Sequence, residues 1–546
     1  MTTTSADRAP TVPRPSRAFL LAFAVFFGLT ACWSLASPMF SGPDETSHLV
    51  KAAATVRGEF AGRRGYVQEE MFQGPSEQPT RSFRVPAAYA AQVFPCFAFQ
   101  VLVTPACEDG RPEHPPSRTG SLTMYTTAGH YNPVYYALVG WPSLVFTGVH
   151  GMYLLRLASA FVNSLLLAAA VSLAALWRRP GFLVAGLLTA VTPMVLFLDG
   201  MVNPNGLEIT SAVLAWVAAL SLAMRPDPAL LRRRVITLVI AGALLVNVRP
   251  LGYEWLAAIL AVSALVAAGR GALGAVLRCG TTWRSLAAAG PALVFGLWWT
   301  LDNGDDAKVP FVRGNALLPA AHSTLNAIQW HIQCMIAQFG WVDTSPPVVT
   351  YDLWIGVTML LALAAVALGR WRQIVGVLAM GLGVVAVPVL AQGVEAAHIG
   401  LVWQGRYLLA FAVGLPLLAG AVLADRADAA TLALWVDRRV FVTAGTVLTF
   451  ADLFAFFRAL RRYMTGLNGH LLLRHITWQP PGTWPLWVVL YAALLAASVV
   501  CFAGFAGRRG TPADAGGPGS PRINRPRLPA AAARVAALRR LRAGDG

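Results

Sequence analysis

The sequence predicts an all-α integral membrane protein that crosses a bilayer about twelve times, and three observations predict it. Of 546 residues, 56% are hydrophobic and only 13% charged, roughly half the charge of a soluble domain. Apolar runs of spanning length recur along the chain. The basic excess, 43 Lys+Arg against 26 Asp+Glu, falls largely in the short links between those runs. With a mean hydropathy of +0.56, a soluble core has no room for so much apolar sequence.

Taken in order, residues 1–17 read as a cytoplasmic tail and 18–505 as a polytopic membrane domain. The runs lie near 18–37, 151–176, 182–198, 207–224, 235–248, 251–268, 286–301, 353–369, 374–391, 407–424, 440–457 and 485–505. The first follows Arg8, Arg14 and Arg17 as a signal peptide would, yet no A-x-A-like cleavage site succeeds it, so it reads as a first span. The run 235–248 is shorter than the roughly 20 residues a perpendicular span needs, which leaves a re-entrant pair open.

With the N-terminus inside, Arg178, Arg179, Arg225, Arg232, Arg233, Arg234, Arg270, Arg284, Arg370, Arg372, Arg438 and Arg439 all fall in cytoplasmic links, as the positive-inside rule requires. The net charge of +17 therefore reports topology, with no nucleic acid among the partners. One link runs against the pattern: Arg458–Trp484 carries Arg458, Arg461, Arg462 and Arg474 and comes out external.

The external face then holds a long segment, 38–150, and a second, 302–352. In the first, Gly58–Pro86 is rich in Pro, Gly and Arg, and amphipathic pieces at 86–103 and 131–147 read as interfacial helices. Residues 506–546 read as a disordered basic tail with a short helix near 529–542. Cys96 and Cys107 share an exported loop, where they pair as a disulfide or remain two buried thiols.

Chemistry is best placed directly after the first span, in Ser41-Gly42-Pro43-Asp44-Glu45-Thr46-Ser47-His48. Pro43 suits a helix's first turn, and Asp44 and Glu45 complement its positive end. In such a helix His48 stands four residues beyond Asp44 and three beyond Glu45, so acid and imidazole share a face. That arrangement serves as a general base or a cation site, or simply starts a helix.

These residues, with Tyr131-Asn132-Pro133-Val134-Tyr135-Tyr136, Val202-Asn203-Pro204-Asn205 and Trp403-Gln404-Gly405-Arg406-Tyr407, resemble in order and spacing the landmarks of domain of unknown function 2142, a group of predicted bacterial membrane proteins. The resemblance covers about 18–505. That family resembles in turn the C-type (GT-C) glycosyltransferases, which pass a sugar from a polyprenyl-phosphate carrier to an acceptor outside the membrane. It implies a GT-C-like architecture in a bacterial plasma membrane, with the active site facing outwards. It also implies that Asp44 or Glu45 deprotonates the acceptor for inverting attack, while the other orients it or holds a divalent cation, Mg or Mn.

The departing lipid phosphate needs cations. Arg406, beside Gln404 and Tyr407, offers a planar fork, or snorkels at the interface. Arg156 and Arg249 are secondary phosphate ligands, each with the alternative of pairing with Glu208 or Glu254. Asn203 and Asn205 bind sugar hydroxyls or cap the next helix. Tyr131, Tyr135 and Tyr136 stack on a sugar or prenyl chain, or form an ordinary aromatic belt. Trp341 and Asp343 contact the acceptor or pack their loop.

Three function classes follow. The first is a transferase using a polyprenyl-phosphate sugar donor and a glycan or glycolipid acceptor of the cell envelope, among membrane lipids. The second is a transporter or flippase of a lipid-linked intermediate. The third is a scaffold whose basic tail recruits partners or anionic lipid.

Overall fold

The computed structural model describes residues 15–71, 74–89, 94–109, 120–304, 317–430, 432–470 and 473–506. The N-terminal tail up to residue 14, most of the basic C-terminal tail and its expected helix lie outside them.

Every expected apolar run lies on a helix, but fewer than twelve qualify as spans. Among the described residues, eight helices are long and apolar enough to cross a membrane, or nine if the bent pair Pro180–Ala190 and Pro193–Asp199 is one span. The three that fall short do so for local reasons. Gly252–Leu265 has 14 residues, Pro228–Val246 carries Arg232, Arg233 and Arg234, and Gly280–Asn303 carries Arg284 and Asp302. Charge in a helix end offsets the apolar length that spanning requires.

Pro204–Met224 is buried along its whole length, as a helix that is apolar all round must be. Gly148–Ala174 packs beside it, and the first span, Pro15–Ala36, packs in turn against Gly148–Ala174. At one end of the bundle the Arg-rich links meet: Arg225 pairs with Asp425 (3.6 Å) and Asp428 (2.9 Å), and Arg178 with Asp428 (3.8 Å). The bent pair breaks by 68° because Pro193 lacks an N–H and forces its predecessor out of helical backbone. Thr192 caps the new segment by accepting from Val195 N. The break delivers the turn at Gly200–Asn203 beneath the site described below.

At the other end stands the segment 38–150, and here the chain is not all-α. Strands β1 (Arg63–Met71), β2 (Gly74–Pro86) and β3 (Ser121–Thr126) form an antiparallel sheet in the order β1-β2-β3. Phe83 and Val85 of β2 are buried with Leu49 and Val50 of the helix Glu45–Thr55, so the sheet roofs that helix. The strands take the Pro/Gly/Arg-rich stretch, which lacks a helical apolar period. The expected helix at 86–103 is absent from the described part: Ala87–Tyr89 is a single 3-10 turn and 94–103 is turns. The piece at 131–147 is helical, as Pro133–Gly140 and Trp141–Leu144.

The Arg-rich link Arg458–Trp484 buries part of its charge. Arg462 is fully buried and donates to the carbonyls of Val103 (2.8 Å), Phe97 (2.9 Å) and Gln100 (3.1 Å), with Asp343 at 3.4 Å. These bonds fasten the 94–109 loop and Asp343 to the helix Leu434–Thr465. Cys96 and Cys107 are joined in a disulfide in the same loop.

Candidate active site

The turn between the first span and the helix Glu45–Thr55 sets the geometry. Pro43 precedes the helix instead of occupying its first turn, and Asp44 is the N-cap, at φ 57° and ψ 13°. That left-handed backbone is uncommon outside Gly, although Asp tolerates it, and such residues cluster at functional sites. The twist separates the neighbouring acids: Asp44 faces a cavity and Glu45 the interior.

Glu45 is completely buried. Arg156 donates to both its oxygens, each at 2.6 Å, and Gly42 N (3.2 Å) and Val202 N (3.3 Å) donate as well. Arg156 gives its remaining N–H groups to the carbonyls of Ser34 (2.9 Å), Ser37 (2.9 Å) and Pro38 (2.7 Å). All five donors of a guanidinium are then spent. Arg156 has none left for a phosphate, which corrects that expectation. Its partner is Glu45, neither Glu208 nor Glu254.

With Glu45 so committed, the two adjacent carboxylates do not converge on a shared cation, and the pair does not fit Mg or Mn. Among the described residues, the only grouping of three metal-capable side chains is Cys96, Cys107 and Glu108, whose cysteines are bonded to each other.

Arg406 differs from Arg156. It lies in the short turn Gly405–Leu408, where Gly405 passes directly against the His331 carbonyl and leaves no space for a Cβ. Arg406 is 3% exposed and donates to Asp44 Oδ2 at 2.9 Å, while Asp44 is 48% exposed. Its Nη2 also reaches Tyr407 Oη at 3.3 Å. Nε and Nη1 are buried without a partner. These are uncommitted donors at a cavity wall.

Arg249 stands on the other side of Tyr407. Its guanidinium carbon lies 4.6 Å from the Tyr407 ring centre and 5.7 Å from that of Tyr131, and Arg406 lies 5.2 Å from the same Tyr407 ring. Arg249 donates to Glu208 at 3.1 Å and to the side chain of Asn205. The pairing alternative with Glu208 thus describes Arg249. Asn203 caps its helix by accepting from Asn205 N (2.9 Å) and donates to Pro43 O at 2.8 Å.

His48 does not meet either acid. Its Nδ1 shares a hydrogen bond of 2.9 Å with Tyr136 Oη, and its ring stacks on Tyr131 at 5.9 Å. Burial first, then Arg249, Arg406 and His130, hold its pKa well below the ordinary imidazole value, so it is neutral. Tyr135 and Tyr136 are core residues beneath it; Tyr135 bonds Ser159 at 3.1 Å. Asp343 holds Phe99 N (3.1 Å) and Arg462, the loop-packing alternative.

Asp44, Arg406, Gln404 and Tyr407 line a cavity of about 520 Å³. Its lining also contains Trp330, His331, Trp341 and Trp403. Trp341 was singled out by its segment and Trp403 by its motif. Trp330 and His331 carry no local signal and reach the site through the packing of the helix Ile328–Ile336 against Gly405.

A comparison with curated proteins finds no match. Among solved structures, the chain is similar to ArnT from Cupriavidus metallidurans bound to undecaprenyl phosphate, at 15% identity and a TM-score of 0.38, over 90% of this chain and 76% of that one. It is similar to the apo state of ArnT from the same organism at 15% identity and a TM-score of 0.41, over 91% and 78%. Scores this low carry no argument about fold or activity. The family model described as predicted membrane protein (DUF2142) matches residues 27–415, which include all four landmark motifs, and the chain belongs to that family.

Proposed function

We propose that this protein is an inverting membrane glycosyltransferase, moving a sugar from a polyprenyl-phosphate donor to a glycan or glycolipid acceptor at the outer face of a bacterial plasma membrane. One observation carries the reading. A half-exposed carboxylate in left-handed backbone, Asp44, sits at a cavity beside a buried guanidinium, Arg406, that keeps two donors unspent. Transfer from a lipid phosphate needs that pair of chemistries: a base for the acceptor hydroxyl and donors for the leaving phosphate.

In this mechanism Asp44 accepts the acceptor's hydroxyl proton. The hydroxyl oxygen attacks the anomeric carbon from the face opposite the phosphate, the bond between that carbon and the phosphate oxygen breaks, and its electron pair leaves with the phosphate. Arg406 supports the developing charge through Nε and Nη1, with Arg249 behind Tyr407 adding positive potential. Glu45 acts as a positioning residue, anchored by Arg156, and neutral His48 packs with Tyr131 beneath Arg249.

The test is transfer of radiolabelled sugar from a polyprenyl-phosphate donor by the protein in proteoliposomes. Asp44→Asn lowers turnover by about 10²–10⁴-fold, the range of general-base contributions, while donor binding stays near native. Arg406→Lys weakens donor binding, because an ammonium cannot reproduce the fork. Near-native turnover in Asp44→Asn would sink the assignment of the base.

A further inference from the structure

The lining of the Asp44 cavity has an unusual population of incomplete polar atoms. His331 is 5% exposed and Trp403 6%, yet His331 Nδ1 and Trp403 Nε1 have no partner, and neither does Gln404 Oε1. All three side chains line the one cavity. Unpartnered buried polar groups are rare enough to need an explanation each, and three around one space share one.

Poor local order does not supply it. Gln392 accepts from Trp403 N at 2.7 Å and donates to Gly400 O at 2.7 Å, so the turn carrying Trp403 is fixed. Trp341 is anchored by its own N–H to Phe40 O at 3.0 Å, with Phe94 and Phe99 edge-on. The indoles are placed firmly, and the free N–H of Trp403 is a property of the wall.

The charge of the wall narrows the ligand. Among the described lining residues only Asp44 and Arg406 are charged, and they are bonded to each other. Burial holds the His331 imidazole below its ordinary pKa, which keeps it neutral. An ammonium sugar finds only Asp44, which pairs with Arg406 and is needed as the base, and a uronate competes with the phosphate for Arg406. Neutral hydroxyls suit an indole N–H, an amide oxygen and a neutral imidazole, and the C–H face of a sugar ring suits aromatic walls.

We propose that this wall is the donor-sugar subsite and that it selects an uncharged monosaccharide, with hydroxyls bonded to Trp403 Nε1, Gln404 Oε1 and His331 Nδ1. The inference rests on the transferase reading and specifies its donor. The experiment uses the full chain in lipid nanodiscs, with binding measured for farnesyl phosphate and for its glucosyl, mannosyl, galactosyl, glucuronosyl and glucosaminyl esters. At least one neutral ester binds roughly tenfold tighter than farnesyl phosphate, the worth of one added hydrogen bond that completes a buried donor, and neither charged ester does. Trp403→Phe, which keeps an aromatic ring, and Gln404→Leu each remove roughly tenfold of that ester's affinity and leave farnesyl phosphate binding unchanged, which also reports a folded protein. If farnesyl phosphate binds but no neutral ester binds tighter, or a charged ester binds tightest, the subsite is overturned while the transferase reading stands. Failure of farnesyl phosphate itself to bind would overturn both.

Discussion

Replacing Arg156 and Arg406 in turn by Met separates an arginine that holds the fold from one kept for a ligand. Arg156→Met leaves the Glu45 carboxylate, completely buried, with only the N–H groups of Gly42 and Val202. It also strips donors from the carbonyls of Ser34, Ser37 and Pro38. Removing one partner of a buried ion pair costs about 3–5 kcal/mol, a fall in melting temperature of roughly 3–4 °C for a chain of this length. Arg406→Met loses one ion pair to half-exposed Asp44, worth about 0–1 kcal/mol, and also removes two buried donors that each cost about 1–3 kcal/mol unpaired. Its stability is unchanged or raised. Thermal unfolding in detergent, followed by the fluorescence of the 17 tryptophans, reads both variants. A cycle with Glu45→Gln should return a coupling of at least about 2 kcal/mol with Arg156→Met. The reasoning fails if Arg156→Met melts within about 1 °C of native, or if Arg406→Met falls as far.

Burial, with Arg81 nearby, pushes the Lys51 ammonium down to about 7, whereas an unfolded lysine stays charged to about 10.4. Between those values the unfolded chain binds more protons, so stability rises with pH through that window; the difference in unfolding between native protein and Lys51→Met, followed from pH 7 to about pH 9.5, should grow in favour of native. Cys96→Ser opens a crosslink spanning 11 residues, costs about 2–3 kcal/mol, and exposes the 94–109 loop to protease; equal cleavage of both forms would argue against it. Impermeant thiol reagent on intact cells should label a cysteine introduced at Gly74 and spare one at Gly269, and the reverse pattern would invert the topology.

The helices were legible because apolar length is a local property, and each run of the sequence coincides with one. The number of spans was less so: Gly252–Leu265 reads as a span in a hydropathy window, and its 14 residues show only when Pro250 and the turn after Asn247 are fixed. The sheet escaped notice because Arg63–Met71 and Gly74–Pro86 mix polar residues, Gly and Pro, and their pairing is set by a hairpin rather than by alternation. Within the site, Asp44, Arg406, Arg249 and Glu208 were visible as charges where charge is expensive. The division of labour between Asp44 and Glu45 was not, since it turns on one left-handed residue. His331 and Trp330 have no signature at all, because helix packing chooses them.

The broken helix pair has a consequence for depth. At about 1.5 Å per residue, Pro180–Ala190 rises about 16 Å and Pro193–Asp199 about 10 Å. With the first part upright and the second bent by 68°, the pair climbs only about 20 Å through a hydrocarbon layer about 30 Å thick. The turn that ends it, through Val202 N and Asn203, supports Glu45 and Pro43. The foundation of the pocket therefore rests on a helix pair that climbs about 10 Å less than the hydrocarbon is thick. A pocket founded on so short a climb suits a lipid-tethered substrate, which enters from the side, better than one that must descend from water.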